Sequence, residues 1–178
     1  MNDKAIRDIL IAWLQATNHE IRIYQEKDYE AMSRRAAGII AAEVIRKPDC
    51  VLGLATGSTP VGMYTKLAEM NKAGKLDFAE VKTYNLDEYY PISQNDPQSY
   101  YRFMQENLFS KVNIPAENVN IPNGEAKDPD EECKNYDKKL SDNGGVDLQL
   151  LGIGINGHIG FNEPGDALCT TTHCTDLT

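Results

Sequence analysis

A histidine lies between an amide and a carboxylate in a glycine-rich stretch near the end of the printed sequence. Asn156 precedes His158, Glu163 follows it, and the stretch comes directly after the apolar run 146–151. Histidine titrates close to neutral pH and suits proton transfer when a neighbour fixes its tautomer, a role open to Asn156 and Glu163. This pattern indicates a proton-shuttling site, although a surface histidine on a glycine loop is the alternative when the loop is taken alone.

A second stretch combines hydroxyl groups with backbone amides where a strand pattern gives way to a helix pattern. It follows the buried-strand pattern 51–55 and consists of Thr56, Gly57, Ser58 and Thr59. Unpaired N–H groups and the helix dipole make such a start an anion site, suited to a phosphate monoester. The lysine and spacing of nucleotide-binding loops are missing. A Ser/Thr-rich capping turn, with Thr59 as N-cap and Pro60 as first helical residue, is the plainer alternative.

Two adjacent acids, Asp87 and Glu88, follow the strand pattern 81–86. A carboxylate at the end of a strand can act as a general base, and loss of solvent raises its pKa. Adjacent side chains on an extended chain point in different directions, so only one of the two is expected to face a cleft. An exposed acidic turn is the alternative.

Strand and helix patterns alternate along the chain, which predicts how these stretches are positioned. An amphipathic helix is predicted near Trp13 and an exposed strand over 21–24. The later helix patterns cover 29–45, 60–70, a segment opening at 96–97 and 134–140, and the later strand patterns cover 51–55, 81–86, 119–121 and 146–151. Alternation of this kind predicts a three-layer α/β/α, Rossmann-like, doubly wound and mostly parallel sheet. The carboxyl ends of its strands would bring the polar stretches to one edge.

Composition excludes several classes of protein. The 178 residues carry a formal charge of −9, with 41% hydrophobic and 25% charged residues, which is ordinary for a globular domain. An acidic chain lacks the basic footprint of nucleic-acid binders. The 4 cysteines show no CxxC pair or metal-site spacing, and neither a signal peptide nor a membrane span is evident. We therefore expect a cytoplasmic protein with reduced thiols, no metal, and neither nucleic acid nor membrane as partner.

Four ordered motifs together resemble the glucosamine-6-phosphate deaminase family. They are Leu54-Ala55-Thr56-Gly57-Ser58-Thr59-Pro60, Tyr84-Asn85-Leu86-Asp87-Glu88-Tyr89, Asp96-Pro97-Gln98-Ser99-Tyr100-Tyr101 and Gly157-His158-Ile159-Gly160-Phe161-Asn162-Glu163-Pro164. The resemblance spans residues 21–178, which we expect to form a sugar-phosphate deaminase/isomerase domain. Residues 1–20 are expected to form an N-terminal helical extension.

The resemblance implies a reaction in amino sugar metabolism without metal or organic cofactor. The family converts glucosamine 6-phosphate and water to fructose 6-phosphate and ammonia, which implies a hydrolase acting on a small sugar phosphate. Asp87 matches the base that removes the C2 proton, and His158 matches the group that moves protons during ring opening. Asn156 and Glu163 match positions that orient the histidine, and 56–59 matches the phosphate loop.

The chain departs from the family pattern in two ways. Some members have aspartate where Asn156 stands, and we expect the Asn156→Asp change to keep activity within about tenfold. Relatives continue past the equivalent of Thr178 and supply further basic phosphate ligands, so we expect a truncated chain that is poorly stable or self-associating, and its activity on its own is left open. A 6-phosphogluconolactonase-like hydrolase and a non-catalytic sugar-phosphate-binding regulator remain alternatives. Association into a homo-oligomer is left open.

Overall fold

The computed structural model describes residues 22–165 and 169–177, and it contains the predicted parallel sheet. Its strands are β1 (Val51–Leu54), β2 (Lys82–Asn85), β3 (Val119–Asn120) and β4 (Leu148–Gln149). They lie in the order β3-β2-β1-β4, and every neighbouring pair is parallel. The amphipathic helix predicted near Trp13 lies outside the described residues.

Within these ranges, four α-helices connect or flank the strands. They are α1 (Tyr29–Arg46), α2 (Val61–Lys72), α3 (Tyr100–Asn107) and α4 (Pro129–Asp142), and short 3-10 turns cover Phe109–Lys111 and Ala116–Asn118. Alternate strand residues point to opposite faces of a sheet. Leu52 and Leu54 accordingly join the larger core with α1, α2 and Met104 of α3, whereas Val51 and Tyr84 pack against Tyr136 of α4.

The chain reverses its direction across the sheet after β3. Strands β1, β2 and β3 are successive neighbours, and β4 then lies on the far side of β1. The short strand β4 is held there by Asp147, whose carboxylate accepts hydrogen bonds from the Val51 N–H and the Lys47 ammonium, both at 2.8 Å. Ligands of open α/β sheets bind at such a reversal, beside the carboxyl ends of the strands. The loops after β1 and β4 flank this point.

Three local predictions were wrong. Residues 22–24 form no strand, and Tyr24 instead lies under the Arg35 guanidinium at 4.4 Å. Pro60, rather than Thr59, occupies the N-cap of α2, and no side chain caps that helix. The third helix begins at Tyr100, rather than at 96–97, because the Ser99 hydroxyl accepts a hydrogen bond from Arg102 N–H at 3.0 Å.

Helix 29–45 and strands 51–55 and 81–86 are confirmed to within one or two residues at each end. The 146–151 pattern contributes only two strand residues, and the side chains of Leu151 at its end and of Ile153 and Ile155 beyond it are exposed. No helix among the described residues is long and apolar enough to cross a membrane.

Candidate active site

The loop between β1 and α2 presents backbone amides and hydroxyls at an uncapped helix start. Gly57, Ser58 and Thr59 are exposed, and Gly57 has a φ of 105°, a conformation that favours glycine. Two tyrosine hydroxyl groups bind the backbone carbonyls of this loop. The Tyr29 hydroxyl donates to the backbone carbonyls of Ser58 and Thr59, and the Tyr64 hydroxyl donates to that of Ala55 at 2.6 Å. The arrangement keeps the predicted anion site open to solvent.

The carboxylate of Asp87 lies in a largely desolvated position just beyond β2. Burial raises its pKa to about 6, and the neighbouring charge of Glu88 acts in the same direction. A carboxyl group with this pKa is ionised near neutral pH and is a stronger base than an ordinary aspartate. Asp87 therefore has the properties predicted for a general base at a strand end.

Glu88 points away from Asp87 and toward the start of α3. Its two carboxylate oxygens accept hydrogen bonds from the N–H groups of Tyr89, Tyr100 and Tyr101 at 2.8 to 2.9 Å. Both acids nevertheless line the same cavity, so the expectation that only one of them faces a cleft is wrong, although only Glu88 is tied to α3.

His158 is joined to Asn156 and Glu163 within a single loop, the histidine loop (residues 152–164). The Asn156 Oδ1 atom lies 2.8 Å from His158 Nδ1, and the Asn156 amide nitrogen donates to the Glu163 carboxylate at 2.6 Å. A carboxylate can only accept, so Glu163 orients the Asn156 amide with its oxygen toward the histidine. The imidazole then carries its proton on Nδ1, which leaves Nε2 free to accept one. The predicted set of three residues is brought together.

Two glycines allow the histidine loop to fold against itself and against the Asp87 loop, the residues that directly follow β2 from Leu86 to Tyr90. A Cβ atom at Gly154 would lie 2.3 Å from His158 Cε1, so the imidazole packs where a side chain would otherwise be. A Cβ atom at Gly160 would lie 3.0 Å from Leu86 Cδ2 and 3.7 Å from Asp87 Oδ2, and the φ of Gly160 is 60°. The histidine loop thus passes directly beside the Asp87 carboxylate.

An aromatic cluster connects all three strand-end loops. The ring of Tyr100 is 4.7 Å from that of Tyr89 and 6.2 Å from that of Phe161, measured between centroids. Burial raises the pKa of the Tyr100 hydroxyl, the Tyr89 hydroxyl and the Asp87 charge add to the effect, and hydrogen bonding to Thr56 opposes it. Tyr100 is thereby near both Thr56 and Asp87. Sequence reasoning quoted Tyr100 within a motif and assigned it no role.

A cavity of 580 Å³ opens beside Asp87 and Glu88. Its walls include Asp87, Gly160, Phe161, part of α4 and the segment 169–177, whereas His158 and the 56–59 loop lie outside them. Within the described ranges, no group of three or more His, Cys, Asp or Glu residues is arranged to hold a metal ion.

The fold is an α/β fold in which the hydroxyl-rich 56–59 loop, Asp87 and the His158 loop all follow the carboxyl ends of parallel strands. Residues 25–166 match the family model described as glucosamine-6-phosphate isomerases/6-phosphogluconolactonase. The chain belongs to this family.

Sequence relatives from two bacteria agree with this family assignment. The chain is 56% identical over 158 residues to the glucosamine-6-phosphate deaminase of Halothermothrix orenii, covering 89% of this chain and 66% of the relative. It is 55% identical to that of Alkaliphilus metalliredigens, covering 88% of this chain and 65% of the relative. The chain thus spans slightly less than two thirds of the length of these relatives.

Among solved structures, a monomeric glucosamine-6-phosphate deaminase superposes with a TM-score of 0.81 at 44% identity, over 83% of this chain and 61% of that one. The 6-phosphogluconolactonase of Thermotoga maritima superposes with a TM-score of 0.65 at 23% identity, over 79% of this chain and 62% of that one. The latter likeness concerns the fold alone.

Proposed function

We propose that this protein converts glucosamine 6-phosphate and water to fructose 6-phosphate and ammonia. The observation that carries the proposal is the desolvated Asp87 carboxylate, with a pKa raised to about 6, beside the loop that holds His158. A carbon acid needs a base of this kind, and relatives of 55% and 56% identity bear the name glucosamine-6-phosphate deaminase.

In the proposed mechanism the 56–59 loop binds the phosphate and His158 opens the ring. The free Nε2 atom of His158 takes the proton of the O1 hydroxyl and returns it to the ring oxygen as the C1–O5 bond breaks. Asn156 holds the tautomer that this step needs, and the charge of Glu163, relayed through the amide, favours the imidazolium formed in between.

Asp87 then removes the C2 proton of the open-chain aldehyde. The C2–H electrons form a C1=C2 double bond and the carbonyl oxygen takes a proton from water, which gives an enolamine. Asp87 returns its proton to C1, C2 becomes an iminium carbon, and water adds there and expels ammonia to leave the ketone. Water is consumed in the last step, so the overall change is hydrolytic.

The test is ammonia release from glucosamine 6-phosphate by the chain and its Asp87→Asn variant. We expect the variant to lose at least about 1,000-fold in kcat while sugar phosphate binding, followed by calorimetry, persists. Asp49→Asn is the matched control, since it makes the same charge change on an exposed residue before β1, at the opposite end of that strand.

Undiminished ammonia release by Asp87→Asn would overturn the assignment of the base. Hydrolysis of 6-phosphogluconolactone without ammonia release would favour the lactonase alternative. Binding of the sugar phosphate with neither activity would favour a regulator.

A further inference from the structure

The contacts of Glu88 join two segments of the site that are separate in sequence. One carboxylate oxygen accepts from the N–H of its neighbour Tyr89 at 2.8 Å and from Tyr100 N–H at 2.9 Å, and the other accepts from Tyr101 N–H at 2.8 Å. Tyr100 and Tyr101 open α3, and the Ser99 hydroxyl takes the following N–H, that of Arg102. Glu88 and Ser99 together satisfy the first amides of the helix.

This anchoring determines where Asp87 can point. Neighbouring side chains on an extended chain point to different sides, so fixing Glu88 on α3 turns Asp87 away from that helix end. The helix N-terminus attracts carboxylates, and Glu88 already fills it. Asp87 consequently remains beside Gly160, where a Cβ atom would lie 3.7 Å from its Oδ2.

Among the described residues, Glu88 is the charged group that acts on Asp87 most directly. The Tyr100 hydroxyl from α3 and the Tyr136 hydroxyl from α4 also interact with it, and Glu132, Asp137, His173 and Asp176 line the same cavity. Both tyrosines have a raised pKa and stay neutral near pH 7, so Glu88 supplies the charge that disfavours ionisation of Asp87, after desolvation itself.

We propose that Glu88 is a positioning residue, which anchors the Asp87 loop on the N-terminus of α3 and so holds the Asp87 carboxylate in its desolvated place beside the histidine loop. The role in turnover rests on the proposed deaminase function. The placement of Asp87 does not, and it is measurable without substrate.

The experiment compares Glu88→Gln, Glu88→Ala and Ser99→Ala. The Asp87 titration is followed by carboxyl-carbon NMR, and kcat and KM are measured by ammonia release. Glu88→Ala removes all three hydrogen bonds, and the Asp87 midpoint should fall by about one pH unit as its carboxylate regains solvent. Glu88→Gln removes the charge, keeps an acceptor oxygen and should give a smaller fall.

Turnover should follow the same order, with kcat at least about tenfold lower in Glu88→Ala, KM within about twofold, and part of the loss restored in Glu88→Gln. Ser99→Ala is the matched control, because it removes a hydrogen bond from the same helix start without touching the Asp87 loop. It should lower Tm and leave both the Asp87 midpoint and kcat close to wild type.

An Asp87 midpoint that falls no further in Glu88→Ala than in Glu88→Gln would overturn the proposal, because loss of the charge alone would then explain the fall. A midpoint that moves as far in Ser99→Ala would overturn it as well. If the wild-type chain releases no ammonia, the proposed function fails instead, and the titration still decides the role of Glu88. Should Glu88→Ala not fold, Glu88→Asp replaces it, since it keeps the charge on a shorter side chain, and an unshifted Asp87 midpoint in that variant counts against the proposal.

Discussion

Asn156 is the residue that sets the electrostatics of His158. Its oxygen meets the imidazole and its nitrogen donates to Glu163, so the carboxylate acts on the histidine through a neutral amide. Glu163 Oε1 itself lies 3.5 Å from His158 Nδ1, beyond a good hydrogen bond. An aspartate at this position would bring a second charge against the ring and also against Glu163.

The Asn156→Asp change tests this arrangement. An aspartate can accept the same hydrogen bonds from His158, so activity near neutral pH should stay within about tenfold of wild type. Its second oxygen would replace a donor 2.6 Å from the Glu163 carboxylate, and two carboxylates so close must share a proton. Activity relative to wild type should therefore decline as pH rises. A constant ratio of kcat/KM between pH 6 and pH 9 would contradict the prediction.

At the scale of the elements, the glycines of the histidine loop decide how closely it can fold. Gly154→Ala would place a methyl group on the His158 imidazole, and the ring is the group most free to move. We expect kcat/KM for ammonia release to fall at least about tenfold with little change in Tm, since the displaced ring is partly exposed.

Gly152→Ala is the matched control for this change. A Cβ atom there would meet nothing within 4 Å, so kcat/KM should remain within about twofold of wild type. Equal losses in the two variants would show that loop rigidity, rather than contact with His158, limits activity.

The sequence predicted elements well where local patterns dominate. Helix 29–45 and strands 51–55 and 81–86 have long periodic or apolar runs, and they form almost as expected. The exposed strand over 21–24 is absent from residues 22–24, because a short alternating pattern has no neighbour to pair with. Pro60 rather than Thr59 caps α2, and the Ser58 and Thr59 carbonyls accept hydrogen bonds from Tyr29 of another helix, a contact that no local pattern reveals.

In the candidate site too, the features that depend on local sequence were predictable, and those that depend on distant contacts were not. The residue types and strand-end positions of Asp87 and His158 were readable from the sequence. The role of Glu88 was not, since its partners Tyr100 and Tyr101 lie in a later segment that only the fold brings near. Ser99 as the cap of α3 could have been read from its type, but the Asp96-Pro97 pair was the stronger local signal.

At the scale of the whole molecule, the raised pKa of Asp87 makes stability depend on pH. Its folded pKa, about 6, exceeds that of an unfolded aspartate, so ionisation destabilises the fold as pH rises through this range. Asp87→Asn removes that cost. Its free energy of unfolding should match wild type near pH 4 and exceed it by up to about 2 kcal/mol at pH 8.

Urea unfolding at the two pH values measures this difference, and Asp49→Asn, which alters an exposed residue, should show none. A destabilised Asp87→Asn at pH 8 would mean that the carboxylate is held by hydrogen bonds rather than strained by burial. The expected result would make Asp87 a position where activity is retained at the expense of stability.

The contacts that orient His158 are local in sequence, whereas the contact between the histidine loop and Asp87 is distant in sequence. Asn156, His158 and Glu163 are within one short segment, so closing their hydrogen bonds costs little chain entropy. The approach of Gly160 to Asp87 joins segments separated by two α-helices and two strands, so closing it costs more chain entropy. We therefore expect the histidine to meet its tautomer-setting partners early in folding and to align with the base later.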